Sequence, residues 1–566
     1  MCSVSFALAC TACAIPAQTP AKAPDVEADV CVYGGTSGGV AAAVQAARMG
    51  KRTVLLEPHQ HLGGMTSGGL SAVDIGDPRS VGGIAREFFT RLVAHYGKQL
   101  EWDRPFRSGG GPATGGAYSI EPHVAEAVFD AMVAEAGVRV LRDARLARAH
   151  MQGARIAQLE LEGGRRVAAS MFVDTTYEGD LMAAAGVTYT VQREGNAKYG
   201  ESLNGIHYAA KYRPRLGHLA PGDNGRVRGG QGVWDRDFPL DPYVVKGDPA
   251  SGLIPLVDAG DGGDPGDPAP GVMAYCYRLC LTTDPDNRRP IVPPADYDPK
   301  RYELVVRFLE ACRANGDAVD LRWFSKHDPL PHDKWDFNTA TIGANLPGAS
   351  QEWPEASYAR RLEIAAEIED YHRGLLHFLA TDARVPERLR EQLAAFGLPR
   401  DEFVDNGGWP HQIYVREGRR MVGALVMTEH HTFGRAIAPR SIGLGSYGTD
   451  VHEIRRIAKD GVVVREGKIA AGRGGFGPYC IGYDALLPVA EECTNLAVTF
   501  ALSASHIAFA SLRMEPVFMV TSQSAATAAC LALDRGVGLH DVEYEALAQR
   551  LRADGQVLTW PPAGRR

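Results

Sequence analysis

The run Gly34-Gly35-Thr36-Ser37-Gly38-Gly39, with Glu57 and Pro58 beyond it, has the residue types and spacing to hold a dinucleotide. Glycines let the main chain come close to a diphosphate. The first amides of a following helix lack intrahelical partners, and the helix dipole favours an anion there by roughly 0.3–1 kcal/mol. An acid about 20 residues on, at the end of the next strand, can accept both hydroxyls of an adenosine ribose and disfavours a 2′-phosphate. Against the pattern G-x-G-x-x-G, Gly34 and Gly39 take the first and third places and Thr36 the second. Thr36 keeps the turn if its φ is negative, and its hydroxyl can itself reach a phosphate.

These residues need a strand, a helix and a second strand to position them. Val30 to Tyr33 is a short apolar run suited to a buried parallel strand. Val40, Ala43, Val44 and Ala47 repeat close to the helical period, and Gly50 is placed to end that helix. Thr53 to Leu56 is the second strand, stopping at Glu57. The unit has the length of about 30 residues that a βαβ dinucleotide fold requires.

Three later stretches extend the expected cradle. HLGGMTSGGLSAVDIGD, with Gly63, Gly64, Met65, Thr66 and Ser67, follows the ribose-binding strand and has no helix or strand period, so it is expected along the diphosphate. Asp174 and Thr175 end a buried strand, Met171 to Val173, and lead into a helix through Ala185. Thr521 to Ser524 is expected as a polar turn feeding an Ala-rich helix, Ala525 to Leu533. Free amides at Gln523 and Ser524 would then face an anionic ring edge, in the manner of an oxyanion hole.

Between these stretches, helices are expected at Ile84 to Tyr96 and Val124 to Ala136, and a meander at Leu146 to Ala149, Ile156 to Leu161 and Arg165 to Ala168. From about 205 to 407 the character changes to Gly, Pro and Asp clusters, with helices at Tyr297 to Ala314, Tyr358 to Leu379 and Arg384 to Phe396. Trp323, Trp335, Trp353 and Trp409 lie in or beside this insertion and suit either a sugar-like ligand or the packing of long loops. Arg416 to His431 reads as a basic helix start with an apolar face. The domain reading is 1–24 leader and linker, 25–204 first part of the cofactor domain, 205–407 inserted substrate region, 408–540 return of the cofactor domain, and 541–566 tail.

With 566 residues, ordinary charged and apolar fractions and a formal net charge of −8, the chain lacks the basic face of a nucleic-acid binder. No run of 18 apolar residues is present to span a membrane. Met1 to Ala23 resembles the back half of a secretory signal, which points to the periplasm or the exterior, with a cytoplasmic location as the alternative. Ten cysteines include no paired CxxC set, so no metal site is expected. FAD is preferred to NAD because one dinucleotide fingerprint is found, where an NAD(P)H-fed reductase usually carries two.

The chain resembles the bacterial FAD-dependent oxidoreductases often mislabelled as xanthan lyase-like, within the glutathione-reductase-like FAD proteins. The motifs that carry this are VYGGTSGGVAAAVQAARMG, HLGGMTSGGL, IEPHVAE, VDTTYEGDLMAAAGVTYTVQREGNAKYGE, GGWPHQIYVREGRRMVGALVMTEHH and ASHIAFASLRMEPVFM, spanning roughly Asp29 to Leu533. The resemblance implies an α/β fold: a three-layer Rossmann-like FAD-binding domain of parallel sheet plus β-meander, with an inserted α+β substrate domain. It also places the ADP part of FAD against Gly34 to Gly39 and Glu57, with the flavin reaching Gly63-Gly64 and the C-terminal helix. Ser522-Gln523-Ser524-Ala525-Ala526 stands where the family has a Gly-Gln-Ala-Ala-Gly type of turn.

The expected reaction moves a hydride from a hydroxyl- or amine-bearing carbon, a carbohydrate being one candidate, to flavin N5. An O–H proton then needs a base. His506 and His452 are the candidates, and Arg513 and Glu515 are placed to bind substrate or tune the ring. The acceptor, whether oxygen, a quinone or a cytochrome, is left open. Reduction of an activated double bond is the alternative within the fold and would rely on Arg416, Arg419, Arg420 or Arg513. A non-catalytic flavoprotein or a polysaccharide-binding module is the alternative outside it.

Overall fold

The computed structural model describes residues 23–100, 102, 119–208, 238–340, 342–469 and 477–560. The leader expected at 1–24 lies almost wholly outside these residues.

Strand β1 (Val26–Tyr33) is the axis of the molecule. It pairs in parallel with β2 (Thr53–Leu56), which pairs with β3 (Arg139–Leu141). On its other side β1 pairs in parallel with β6 (Arg166–Asp174). The meander β4 (Leu146–Met151), β5 (Ile156–Leu161) and the first half of β6 is antiparallel. Residues 165–168 and 171–173, expected as separate strands, form one continuous strand. Its second half pairs with Leu496–Val498, returning from the C-terminal part of the chain. This is the doubly wound α/β sheet with a meander that the motifs imply.

Both faces of the sheet are covered at its centre, so β2 and the second halves of β1 and β6 are buried throughout rather than alternating. Val30, Cys31, Val32 and Tyr33 are all fully buried. One face carries α1 (Ser37–Arg48), α2 (Gly83–His95), α3 (Pro122–Glu135) and the long helix Glu515–Arg535. The last is long and apolar enough to cross a bilayer by composition, but it is buried as the core helix of this layer. The final helix Tyr544–Ala553 packs against it, and Gly555 accepts from the Gly83 amide.

The insertion has its own antiparallel sheet, His327–Pro329, Lys334–Phe337 and Leu279–Thr282, and three helices, Glu303–Ala314, Tyr358–Thr381 and Glu387–Ala394. The hairpin Arg455–Lys459 with Val462–Glu466 joins it through bridges to Tyr208 and Asp258. Trp323, Trp353 and Trp409 are buried in packing, leaving Trp335 half-buried.

The helix expected over Arg416 to His431 is not formed. The segment is extended, with Arg420–Met421 pairing to Tyr189–Thr190, and only Glu429–Thr432 makes a single turn. Gly418 and Gly423 interrupt helical propagation. Arg416, Glu417, Arg420 and Glu429 are all buried, which an amphipathic surface helix would not permit.

Candidate cofactor cleft and active site

Thr36 settles the departure from the glycine pattern. Its φ is −64°, it caps α1 by accepting from the Gly39 amide, and its hydroxyl donates to the Thr175 carbonyl at 2.8 Å. The amides of Ser37 and Gly38 keep no intrahelical acceptor, which makes the end of α1 an anion site. Gly34 has φ +105°, and a Cβ there would press on the Thr176 amide. A Cβ at Gly39 would overlap the Gly34 carbonyl oxygen.

Glu57 ends β2 as expected. One carboxylate oxygen accepts from the Gly35 amide at 2.6 Å and the other from the His59 amide at 2.7 Å. Each oxygen keeps a second lone pair for a hydroxyl. Burial pushes this carboxyl up to about 7, opposed by the two amides. The Gly-rich loop is fastened directly to the first turn, because the Gly63 amide donates to the Gly35 carbonyl. Ser67 closes the loop on the Leu62 carbonyl, and the Met65 amide donates to the Tyr177 hydroxyl.

A cleft of about 420 Å³ opens along this surface, lined by Gly34, Thr36, Glu57, Pro58 and Gly64 on the cofactor layer. Its opposite wall is the insertion: Trp353, Tyr358, Arg361 and Tyr277. The helix Tyr358–Thr381 is pinned there by Tyr358 to Tyr33, hydroxyl to hydroxyl at 2.6 Å, and by the fork of Arg361 on Asp180 at 2.6 and 2.8 Å. Nothing in local sequence signals this wall. Thr176, Tyr177 and Glu178 also line the cleft, one step beyond the residues picked from the sequence.

Some expected cofactor contacts have other work. Asp174 accepts from the Thr176 amide and hydroxyl and from the Met182 amide, and burial raises it to about 6. Thr175 donates to the carbonyls of Tyr33 and Gly34. Both hold the turn from behind. The turn expected at Thr521 to Ser524 does not exist, because the helix already starts at Glu515 with Pro516 in its first turn. The amides of Gln523 and Ser524 are therefore inside a helix. Their side chains bind the Ile84 amide, Gln45 and the Ile442 carbonyl in the core.

Glu515 is the link between the two helices. It accepts from Ser37 and Thr66, each at 2.6 Å, and from Tyr177 at 3.2 Å. Burial pushes it up to about 7, with the three hydroxyls acting the other way. Two residues earlier, Arg513 bonds Asp450 and the Tyr414 hydroxyl. Asp450 also holds His452 Nε2 at 3.2 Å and Lys468 at 3.4 Å. Burial opposes ionisation of Asp450, but Lys468, His452 and Arg513 outweigh it and keep the carboxyl well below its usual range. Burial and the Arg416 charge hold His452 neutral. With Asp450 accepting from Nε2–H, the proton-free nitrogen is Nδ1, to which Asn345 donates at 3.2 Å.

The structure therefore joins Arg513 to His452 through Asp450, while Glu515, two residues on, turns to Ser37 and Thr66, and His506 lies apart. His506 sits at the other end of its helix, His506–Leu512, with Nδ1 at 2.7 Å from Glu417. Glu417 is shared with Arg420, which also holds Glu194 at 2.9 Å. His506 is thus held by Glu417 through Nδ1 and by Glu194 through its amide. One further group, Glu121, His123 and Glu402, has metal-ligand spacing. The Lys334 ammonium lies 2.7 and 2.6 Å from the two glutamates and is the cation they hold.

A helix N-terminus behind a glycine turn, an acid closing the second strand and a loop stitched along both define a dinucleotide-dependent α/β enzyme, and the donors present fit FAD. The chain belongs to the FAD dependent oxidoreductase family, whose model matches residues 29–551. No curated protein matches it significantly. Among solved structures, a 3-ketosteroid-Δ4-(5α)-dehydrogenase from Rhodococcus jostii RHA1 is 18% identical over 29% of this chain and 50% of that one, with TM-score 0.19. A flavin-containing monooxygenase from Stenotrophomonas maltophilia is 19% identical over 31% and 44%, with TM-score 0.18. A flavoprotein/dehydrogenase from Cytophaga hutchinsonii is 15% identical over 30% and 44%, with TM-score 0.22. The matched part is half or less of each of these proteins, and at such scores the likenesses carry no argument.

Proposed function

We propose that this FAD-dependent oxidoreductase oxidises a carbon bearing a hydroxyl or amine, with His452 as the base. The observation that carries this reading is the buried pair of Asp450 and His452 Nε2 at 3.2 Å, in which the carboxylate, also held by Arg513, orients the imidazole. When bound, FAD supplies the hydride acceptor. The side chains do the rest: Thr36 and the amides of Ser37 and Gly38 hold the diphosphate, Glu57 the ribose, and the Gly63 to Ser67 loop the chain beyond. Once a substrate hydroxyl or amine displaces the Asn345 amide from it, His452 Nδ1 would take the proton released with the hydride, and Asp450 would stabilise the imidazolium so formed.

Support for a carbohydrate in particular is confined to Trp353 and Tyr277, which line the cleft; Trp323, Trp335 and Trp409 do not line it. Anaerobic reduction of the bound flavin by a panel of sugars, polyols and hydroxy acids tests the reading. Replacing His452 with Ala slows that reduction by about 10²-fold or more; an unchanged rate removes His452 from the mechanism. Export rests on Met1 to Ala23 alone and is checked by cell fractionation.

A further inference from the structure

We propose that Arg416 and Arg513, on the Tyr414 side chain between them, receive a carboxylate carried by the substrate; this rests on the oxidoreductase reading above. Among the described residues, Arg193, Arg416, Arg420 and Arg456 are less than 2% exposed. Three hold a carboxylate: Arg193 that of Glu466, Arg420 those of Glu194 and Glu417, Arg456 that of Glu453. Arg416 holds none among the described residues. Its guanidinium donates to the Ala274 carbonyl and the Cys276 sulfur and stacks 4.5 Å from the Tyr414 ring, and its Nε has no acceptor. An ion taken out of water without a counter-charge is strongly unfavourable, so a fold that retains one has a reason to.

Arg513 repeats the pattern on the same tyrosine. One nitrogen lies 3.4 Å from the Tyr414 hydroxyl, and its Nε is also without an acceptor. Its one carboxylate, Asp450, is shared with Lys468 and His452. The Thr449 hydroxyl beside Asp450 is a third buried donor without a partner. By contrast, Arg419 and Arg420, of equal promise in the sequence, are saturated by Asp180 and Glu355 and by Glu194 and Glu417.

An unpaired Nε is not peculiar to these two, since Arg193 and Arg456 have one as well; what sets Arg416 apart is the missing counter-charge, and positive charge in excess on planar guanidinium forks fits a carboxylate better than a neutral sugar. A carboxylate held there fixes the substrate by an end other than its reacting carbon and leaves that carbon to His452. The substrate class is then a hydroxy or amino acid, sugar acids included.

Matched acid and amide pairs isolate the charge. FAD-loaded protein is titrated calorimetrically with glycolate and benzoate and, separately, with glycolamide and benzamide. The acids are expected to bind at least about tenfold tighter than the amides, and Arg416→Gln to remove that advantage. Arg416→Lys, which keeps the charge and loses the fork, retains part of it and controls for loss of fold. Equal binding of acids and amides, binding by neither, or discrimination that survives Arg416→Gln overturns the proposal. The titrations need no turnover. Acids that bind tightly while no hydroxy or amino compound reduces the flavin would keep this site and sink the oxidation reading instead.

Discussion

α1 and the helix Glu515–Arg535 lie packed along one another, each with an alanine-rich run that follows small polar residues in sequence, and they use that composition in opposite ways. α1 begins immediately after its glycines, so its N-terminus is open to an anion. The later helix begins seven residues before Ser522, so its Thr, Ser and Gln are interior and serve packing. Gly38 belongs to this contact, since a Cβ there would meet the Ser522 hydroxyl. Composition marks a helix, but only a start signal says which end of it is free. In the second helix that signal was Pro516.

The comparison breaks most sharply at Gly39. Gly39→Ala forces apart α1 and the Gly34 carbonyl, and is expected to cost roughly 4 kcal/mol or more and abolish FAD retention; denaturation midpoints and bound-flavin absorbance check both. The opposing helix tolerates change better, so retained FAD in the Gly39 variant would mean that the two ends are not different.

The next largest effect is at Glu515, where the helices meet. Its folded pKa, about 7, lies above the unfolded value, so the native state holds its proton more tightly than the unfolded chain does. For an acid raised in this way the contribution to stability is unaffected below about pH 4.5 and declines as pH rises to about 7, by roughly 3 kcal/mol at face value. Glu515→Gln is expected to flatten that part of the pH dependence of cofactor-free protein, measured as urea midpoints at pH 5 and pH 8. Equal slopes in variant and wild type would reject this role.

The smallest effect sharpens the contrast from the other side. Restoring the family glycine with Ser522→Gly introduces a glycine inside a helix. It costs about 1 kcal/mol and leaves FAD affinity unchanged. Tighter FAD binding would show that the later helix does approach the cofactor with its backbone.

The cradle was largely legible because each part is local. Thr53–Leu56, Gly50 and Glu57 fell where periodicity put them, and the meander followed its turn glycines. Ala169 and Ser170 hid the continuity of β6; they lie where its neighbour changes from β5 to Leu496–Val498 and where β1 alone carries the strand across. The misread helix at Arg416 had an apolar period but carried charges whose partners, Glu194 and His506, are distant in sequence. His452 and His506 looked alike in sequence, and only the fold separates them. The cleft wall was illegible for the same reason: Tyr358 meets Tyr33 across 325 positions.

That wall has a kinetic corollary. A helix from the middle of the chain is bolted over a groove made by its beginning, by one phenol pair and one arginine fork. Release of a bound coenzyme is therefore expected to require that helix to give way, and to quicken when Tyr358→Phe removes the phenol pair. A tightly held coenzyme would in turn act as mortar between the cofactor layer and the insertion, added to the pairs, such as Lys334 with Glu121 and Trp353 with Glu178, that already join them.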